Sequence, residues 1–321
     1  DSGVVAGTID VSGAQDVSET LTHAFTWTSA SGLKVLGTVS TQAQMPVVGP
    51  SRGGSVAYET PTGTVTVVTS EGLSHEFGPL PGSTWVRPSA IADGIHVVGD
   101  MDTSGGTRGF LWTSGSTVAL FPMPQDAVST HAVAVNASGT VAGTSQDAEG
   151  HTRAFIAVPN GASFELTVLP MLCETVDLEE ACGLELFVTG LRETGEAVGY
   201  GTNPDGQTRA FMWTRSTGVT QLPIPDGFVQ SRAAGITDTG TIVGTLQSAD
   251  NKTSVFVWTV GTGTNTVGPL DDDITINSVA TNGRMGGLLQ SGTATTGFVT
   301  NIPRTTCEAC VADDGPPVIE C

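Results

Sequence analysis

Two short apolar patterns recur along the chain, one after the other. The first places small and β-branched residues between two glycines, as in Gly139-Thr-Val-Ala-Gly143-Thr. It returns as Gly3-Val-Val-Ala-Gly7-Thr and Gly240-Thr-Ile-Val-Gly244-Thr, and more loosely at Gly94 to Gly99, Gly195 to Gly199 and Gly283 to Gly287. Gly54-Ser-Val-Ala-Tyr58 is a degenerate copy. The second pattern reads His23-Ala-Phe-Thr-Trp27-Thr, Arg108-Gly-Phe-Leu-Trp112-Thr, Arg209-Ala-Phe-Met-Trp213-Thr and Ser254-Val-Phe-Val-Trp258-Thr. Arg153-Ala-Phe-Ile-Ala157 and Thr296-Gly-Phe-Val-Thr300 keep the Phe and lose the Trp, and the second repeat offers only Thr64-Val-Thr-Val-Val68. Phe and Trp lie two residues apart, so on a strand they share one face. Turn sequences such as Asp147-Ala-Glu-Gly150 and Pro204-Asp-Gly206 separate the two patterns and predict hairpins. A third strand ends in Leu80-Pro81, Leu169-Pro170, Leu222-Pro223 or the related Pro269-Leu270. A fourth, short and apolar, precedes the next glycine, as in Ala90 to Asp93, Ala132 to Asn136, Ala234 to Asp238 and Ser278 to Asn282.

The phenylalanines set the period. Phe110 to Phe155 is 45 residues, Phe211 to Phe256 is 45 and Phe256 to Phe298 is 42. Phe155 to Phe211 is 56, and the excess falls on an acidic insertion between Cys173 and Cys182. Four short strands in such a period match one blade of a β-propeller, whose apolar faces are buried by stacking blade on blade. The expected fold is therefore all-β: a propeller of four-stranded blades over residues 1–304, with repeats starting near 3, 54, 94, 139, 195, 240 and 283, then a Cys-containing tail over 305–321. Seven copies of the first strand pair and six of the second make 26 strands, against 24 for six blades and 28 for seven. Seven is favoured, with the missing pair supplied by the tail, for example Pro316 to Glu320, or by residues before Asp1. Six would leave a strand pair over.

Composition agrees with many short strands joined by tight turns: 42 of 321 residues are Gly and only 14% are charged. The net charge of −20 repels nucleic acid and anionic membranes. No apolar run reaches the ~20 residues of a membrane-spanning helix. The chain opens on Asp1 and not Met, which reads as a processed or trimmed start.

The five cysteines are Cys173, Cys182, Cys307, Cys310 and Cys321. All are expected in loops or the tail. A disulfide between Cys173 and Cys182, closing the acidic loop, is the preferred pairing and would stabilise by about 2–3 kcal/mol. Cys307-Glu-Ala-Cys310 is half of a zinc motif with no second pair or nearby His, so disulfides within the tail are the simpler reading. An odd number leaves one thiol for a partner chain or for residues outside this sequence.

The Gly-x-Val-x-Gly-Thr run followed by His23-Ala-Phe25 and its Arg-Ala-Phe or Arg-Gly-Phe variants resembles the HAF-repeat family of bacterial extracellular proteins, from about residue 3 to 300. The resemblance implies an exported, surface-associated, propeller-like protein of bacterial origin.

Candidate chemistry is sparse. His23, His75, His96, His131 and His151 have no Gly-x-Ser-x-Gly elbow to accompany them. The carboxylates of Asp271, Asp272, Asp273, Asp313 and Asp314 lie in expected loops, where solvation is the ordinary explanation. Asp102, Asp147, Asp205 and Asp250 could hold structural calcium weakly, although turn chemistry accounts for them; no other cofactor is expected. Arg108, Arg153 and Arg209 recur one per repeat; they form either a ligand-binding ring or, the simpler reading, pairs with a turn Asp. The acidic loop, with Asp177, Glu179 and Glu180, breaks the repeat and is the candidate partner contact. The expectation is a non-catalytic extracellular or cell-surface binding or structural module with a protein or glycan partner; the alternative is a secreted carbohydrate-active enzyme or lectin working at the channel mouth.

Overall fold

The two recurring patterns are hydrogen-bonded neighbours in the computed structural model of the chain, which describes residues 3–12, 20–40, 47–161, 163–176, 179–267, 273–280, 282–291 and 294–302. The second glycine of the first pattern stands directly opposite the Phe of the second: Gly7 with Phe25, Gly99 with Phe110, Gly143 with Phe155, Gly199 with Phe211, Gly244 with Phe256 and Gly287 with Phe298. No helix occurs among the described residues, and so none is long and apolar enough to cross a membrane. The chain is a seven-bladed β-propeller whose blades are antiparallel meanders. It divides into two compact units, Asp1–Val168 and Leu169–Cys321.

The first unit holds four blades. Blade 1 has three described strands, β1 (Val5–Ser12), β2 (Thr20–Thr28) and β3 (Gly32–Thr38). Blade 2 is β4 (Val47–Val48), β5 (Val56–Glu59), β6 (Val65–Val68) and β7 (Ser74–Phe77). Blade 3 is β8 (Val86–Ala92), β9 (His96–Thr103), β10 (Gly106–Thr113) and β11 (Ala119–Leu120). Blade 4 is β12 (Ala127–Val135), β13 (Val141–Asp147), β14 (Thr152–Asn160) and β15 (Ser163–Val168).

The second unit begins with a separate hairpin, β16 (Cys173–Val176) and β17 (Glu179–Cys182). Blade 5 is β18 (Leu186–Leu191), β19 (Ala197–Thr202), β20 (Thr208–Thr214) and β21 (Gly218–Gln221). Blade 6 is β22 (Phe228–Ile236), β23 (Ile242–Ser248), β24 (Thr253–Thr259) and β25 (Gly263–Val267). Blade 7 has three described strands, β26 (Asp273–Val279), β27 (Arg284–Ser291) and β28 (Ala294–Asn301). The blades thus contain the 26 strands counted in the sequence, with the first strand of blade 1 and the fourth of blade 7 missing among the described residues. Pro316 to Glu320 lie outside them.

Each full sheet opens with the short apolar strand that ends a sequence repeat. Ala132 to Val135, for example, belong to β12 and pair with β13 of the next repeat. Repeat and sheet are therefore out of phase by one strand. The first glycine of the pattern makes the turn between those two strands; at Gly139 the φ of +77° is one that a side chain would strain. The second glycine faces a β-bulge in the first strand, as between Ala132 and Ala134, and a Cβ on Gly143 would lie 2.4 Å from both the His131 carbonyl and the Phe155 ring.

The ring that fills this space is core. Phe110, Phe155, Phe211 and Phe256 are at most 1% exposed, each burial worth on the order of 2–3 kcal/mol. Phe110 and Trp112 pack against Val65, Val67 and Phe77 of blade 2, and Phe155 packs against Val98 and Leu111 of blade 3. Phe256 does the same against Val198, Ala210 and Leu222 of blade 5. Trp112 and Trp213 are buried as well, but Trp27 of blade 1 is 42% exposed. Blade 2 inverts the size pattern: Tyr58 stands where the glycine stands elsewhere and pairs with Thr66, which replaces the Phe. The Tyr58 side chain is buried with Ala24 and Val39 of blade 1, over Gly37.

Candidate functional site

Neighbouring blades are tied at a repeated position. The residue after the second-strand glycine meets the first strand of the following blade. Asp100 of β9 accepts from His131 Nδ1 of β12 at 2.8 Å, and Arg232 of β22 lies over the Tyr200 ring of β19 at 4.8 Å. The Asp100 hydrogen bond holds the His131 imidazolium above its ordinary range, against the opposite effect of burial. Bulge hydroxyls add a second tie: Ser89 donates to the Ala132 carbonyl and Thr189 to the Ala233 carbonyl, at 2.6 and 2.9 Å.

Between blades 2 and 3 the same position is open. Glu59, at the end of β5, and Arg87, in β8, approach only to 3.7 Å, and neither Glu59 Oε2 nor Arg87 Nε has a hydrogen-bond partner although both atoms are buried. The Glu59 side chain is only 6% exposed. Its burial pushes the carboxyl above the usual range, partly offset by Arg87 and by a hydrogen bond with Ser40. The pair borders a cavity of about 560 Å³ lined by the start of β2, the segment after β3, the β5–β6 turn and the residues entering β8. Besides the pair, the lining includes Trp85, Pro61 and hydroxyl side chains such as Thr22 and Thr62.

Local chemistry fixes these walls. The Ser40 amide donates to the Glu59 carbonyl at 2.9 Å, joining blade 1 to blade 2. The β5–β6 turn closes through Gly63 N–H to the Thr60 carbonyl at 3.0 Å. Asp102 of β9 accepts from the amides of Thr84 and Trp85, both at 2.8 Å, and from the Thr84 hydroxyl at 2.7 Å. The Thr84 hydroxyl bond, with the two amides, holds the Asp102 carboxyl below its usual range. So anchored, Trp85 presents its ring to the Arg87 guanidinium at 4.8 Å.

The residues singled out in the sequence lie elsewhere. Cys173 and Cys182 form the expected disulfide, but on the paired ends of a β-hairpin and not in a loop. Glu179 and Glu180 are on its second strand, opposite Val176 and Thr175; Asp177 lies outside the described residues, as do Cys307, Cys310 and Cys321. Arg108 donates to the Phe121 carbonyl, and Arg209 to the Val229 carbonyl at 2.6 Å and to the Gln207 side-chain oxygen, so the partners seen are not turn aspartates. Arg153 is exposed on β14. Asp147 accepts from the His151 amide at 2.8 Å, as an ordinary turn aspartate does. Among the described residues no three His, Cys, Asp or Glu side chains come together as metal ligands would. Glu59, Arg87 and Trp85 carry no motif; their one sequence signal is that blade 2 is the repeat that departs most from the pattern.

No model of a protein family matches the chain, and no curated protein matches it. Solved structures do. The chain is similar to the β-propeller domain of the Trilobed protease from Pyrococcus furiosus, at 11% identity and a TM-score of 0.56, over 95% of this chain and 96% of that one. It is similar to an acylaminoacyl peptidase from Pyrococcus horikoshii, at 10% identity and a TM-score of 0.57, over 92% of this chain and 49% of that one. A prolyl endopeptidase matches at 13% identity and a TM-score of 0.56, over 89% of this chain and 45% of that one. The chain thus spans about half the length of these two peptidases, and what it shares with all three is the fold.

These matches correct the expectation of a non-catalytic surface module, and with it the carbohydrate alternative. That expectation rested on the repeat-family resemblance and on the sparse candidate chemistry of the repeats.

Proposed function

We propose that this chain is the propeller of a peptide-processing enzyme, holding or sorting a peptide for catalytic groups carried outside the described repeats. The observation that carries this reading is the reciprocal overlap with a protease's propeller domain, 95% of one chain on 96% of the other. The net charge of −20 gives the scaffold a field that attracts cationic peptides and repels acidic ones. The Cys173–Cys182 disulfide supports an oxidising, exported setting.

Fluorescence anisotropy of the purified chain with labelled basic and acidic decapeptides tests the reading. The basic peptide should bind more tightly, the more so at low salt, and mass spectrometry should find both peptides intact. Failure to bind any peptide, or hydrolysis by the chain alone, would overturn it.

A further inference from the structure

The dipeptide Asn-Gly occurs twice in the chain, at Asn160-Gly161 and at Asn282-Gly283. Glycine after asparagine opens a reaction within the backbone itself. The glycine amide nitrogen gives up its proton and attacks the carbonyl carbon of the asparagine side chain. The side-chain nitrogen leaves as ammonia, carrying that proton, and a five-membered cyclic imide remains. Water then opens the imide at either of its carbonyls. One opening yields aspartate; the other yields isoaspartate, in which the backbone runs through the side-chain carbons. Water is the only other reactant. With no Cβ to crowd the attack or restrict the dihedral angles, glycine is the residue that favours ring closure most.

The fold holds the two sites differently. Asn160 ends β14 opposite Ser163 of β15, so that only residues 161 and 162 join the strands. Asn160 and Gly161 are both exposed at this hairpin tip. Among the described residues, neither the Gly161 N–H nor the Asn160 side chain makes a hydrogen bond. Nothing lies within 4 Å of the point where a Cβ on Gly161 would sit, so the attacking nitrogen has open space beside it. At the second site both reacting groups are engaged. The Gly283 N–H donates to the Ala280 carbonyl at 3.1 Å, and Asn282 Oδ1 accepts from the Arg284 N–H at 3.2 Å. The nucleophile must leave its acceptor and the side chain must turn before a ring can close. Exposure does not separate the two asparagines, since Asn282 is also exposed. Their hydrogen bonds do.

We propose that Asn160-Gly161 is a self-modifying site, at which the folded chain converts Asn160 through a cyclic imide to aspartate and isoaspartate while Asn282 keeps its amide. The conversion adds a negative charge to a chain whose net charge is already −20. Where isoaspartate forms, the backbone gains an atom at the pair that opens the hairpin. The neighbouring pair is Pro159 with Phe164, whose ring lies 4.9 Å from that of Phe121.

The test uses the whole native chain, incubated for days in mildly alkaline buffer, with a parallel sample unfolded in guanidinium chloride. Peptide mapping by mass spectrometry, with electron-transfer fragmentation to tell isoaspartate from aspartate, follows both sites. In the folded chain Asn160 should convert roughly tenfold faster than Asn282, the factor expected when one hydrogen bond must first be given up. In guanidinium chloride the two rates should be similar. Isoaspartate should be among the products at 160, because direct hydrolysis of the side chain gives aspartate alone. Hydroxylamine, which cuts a chain at an imide, should cut the folded chain after residue 160. Asn160→Gln, whose longer side chain closes rings slowly, should abolish both signals, with circular dichroism to check its fold. An Asn160 that stays intact in the folded chain, aspartate there without isoaspartate, or conversion of Asn282 at an equal or greater rate overturns the proposal. A tenfold gap that persists in guanidinium chloride overturns it too, by assigning the difference to neighbouring sequence and not to the fold.

Discussion

At the scale of single residues, the repeat is governed by volume at one cross-strand pair. A glycine and a phenylalanine face each other because the bulged strand beside the glycine brings a carbonyl to where a Cβ would sit. Gly143→Ala should therefore destabilise by about 1–3 kcal/mol, the usual range for overpacking a filled core. Gly261→Ala, with nothing within 4 Å and an ordinary φ, should be near neutral. Thermal unfolding of both variants checks this, and equal midpoints would show that the backbone yields. This pair was legible in the sequence because its two members recur at fixed spacing. Tyr58 reads as degeneracy, since the repeat pattern alone does not reveal that the residue opposite it is the small Thr66. Glu59 and Arg87 were not legible for a related reason. They lie 28 positions apart on different blades, and which residues meet there depends on the phase of the sheets.

At the scale of elements, the strands were visible from their alternation, and the acidic insertion was visible from the lengthened period. What the sequence did not convey is that the insertion is itself paired. Two four-residue strands have too little apolar surface to hold together alone. The disulfide closes them, and the Gly183 amide fastens their base to the Leu172 carbonyl at 2.9 Å. Replacing both cysteines with serine should therefore act locally. Hydrogen exchange of the hairpin amides should quicken by roughly 30- to 100-fold, the equivalent of about 2–3 kcal/mol, while the blades exchange as before. Faster exchange throughout blade 5 would show instead that the hairpin braces the sheet beside it.

At the scale of the whole molecule, charge and burial pull in opposite directions. The core is a series of apolar seams between blades, while a net charge of −20 is spread over 321 residues with only 12 Lys and Arg to offset 32 Asp and Glu. Self-repulsion of this kind is screened by salt. Raising ionic strength from roughly 0.01 M to 0.1 M shortens the screening length from about 30 Å to about 10 Å. Scanning calorimetry over that range should show unfolding move upward by about 2–4 °C. Unmoved transitions would mean that local ion pairs already balance the surface.

The one-strand offset between repeat and sheet has a consequence for how such a chain can change in length. Each repeat supplies the last strands of one blade and the opening strand of the next, like a shingle nailed across two boards. A coding sequence that gains or loses one period by unequal exchange still yields whole sheets, because every opening strand finds a second strand of the same kind. A cut made between sheets divides a repeat, and a cut made between repeats divides a sheet. Lineages built this way can therefore vary in blade number without passing through an intermediate that has an unpaired interior strand.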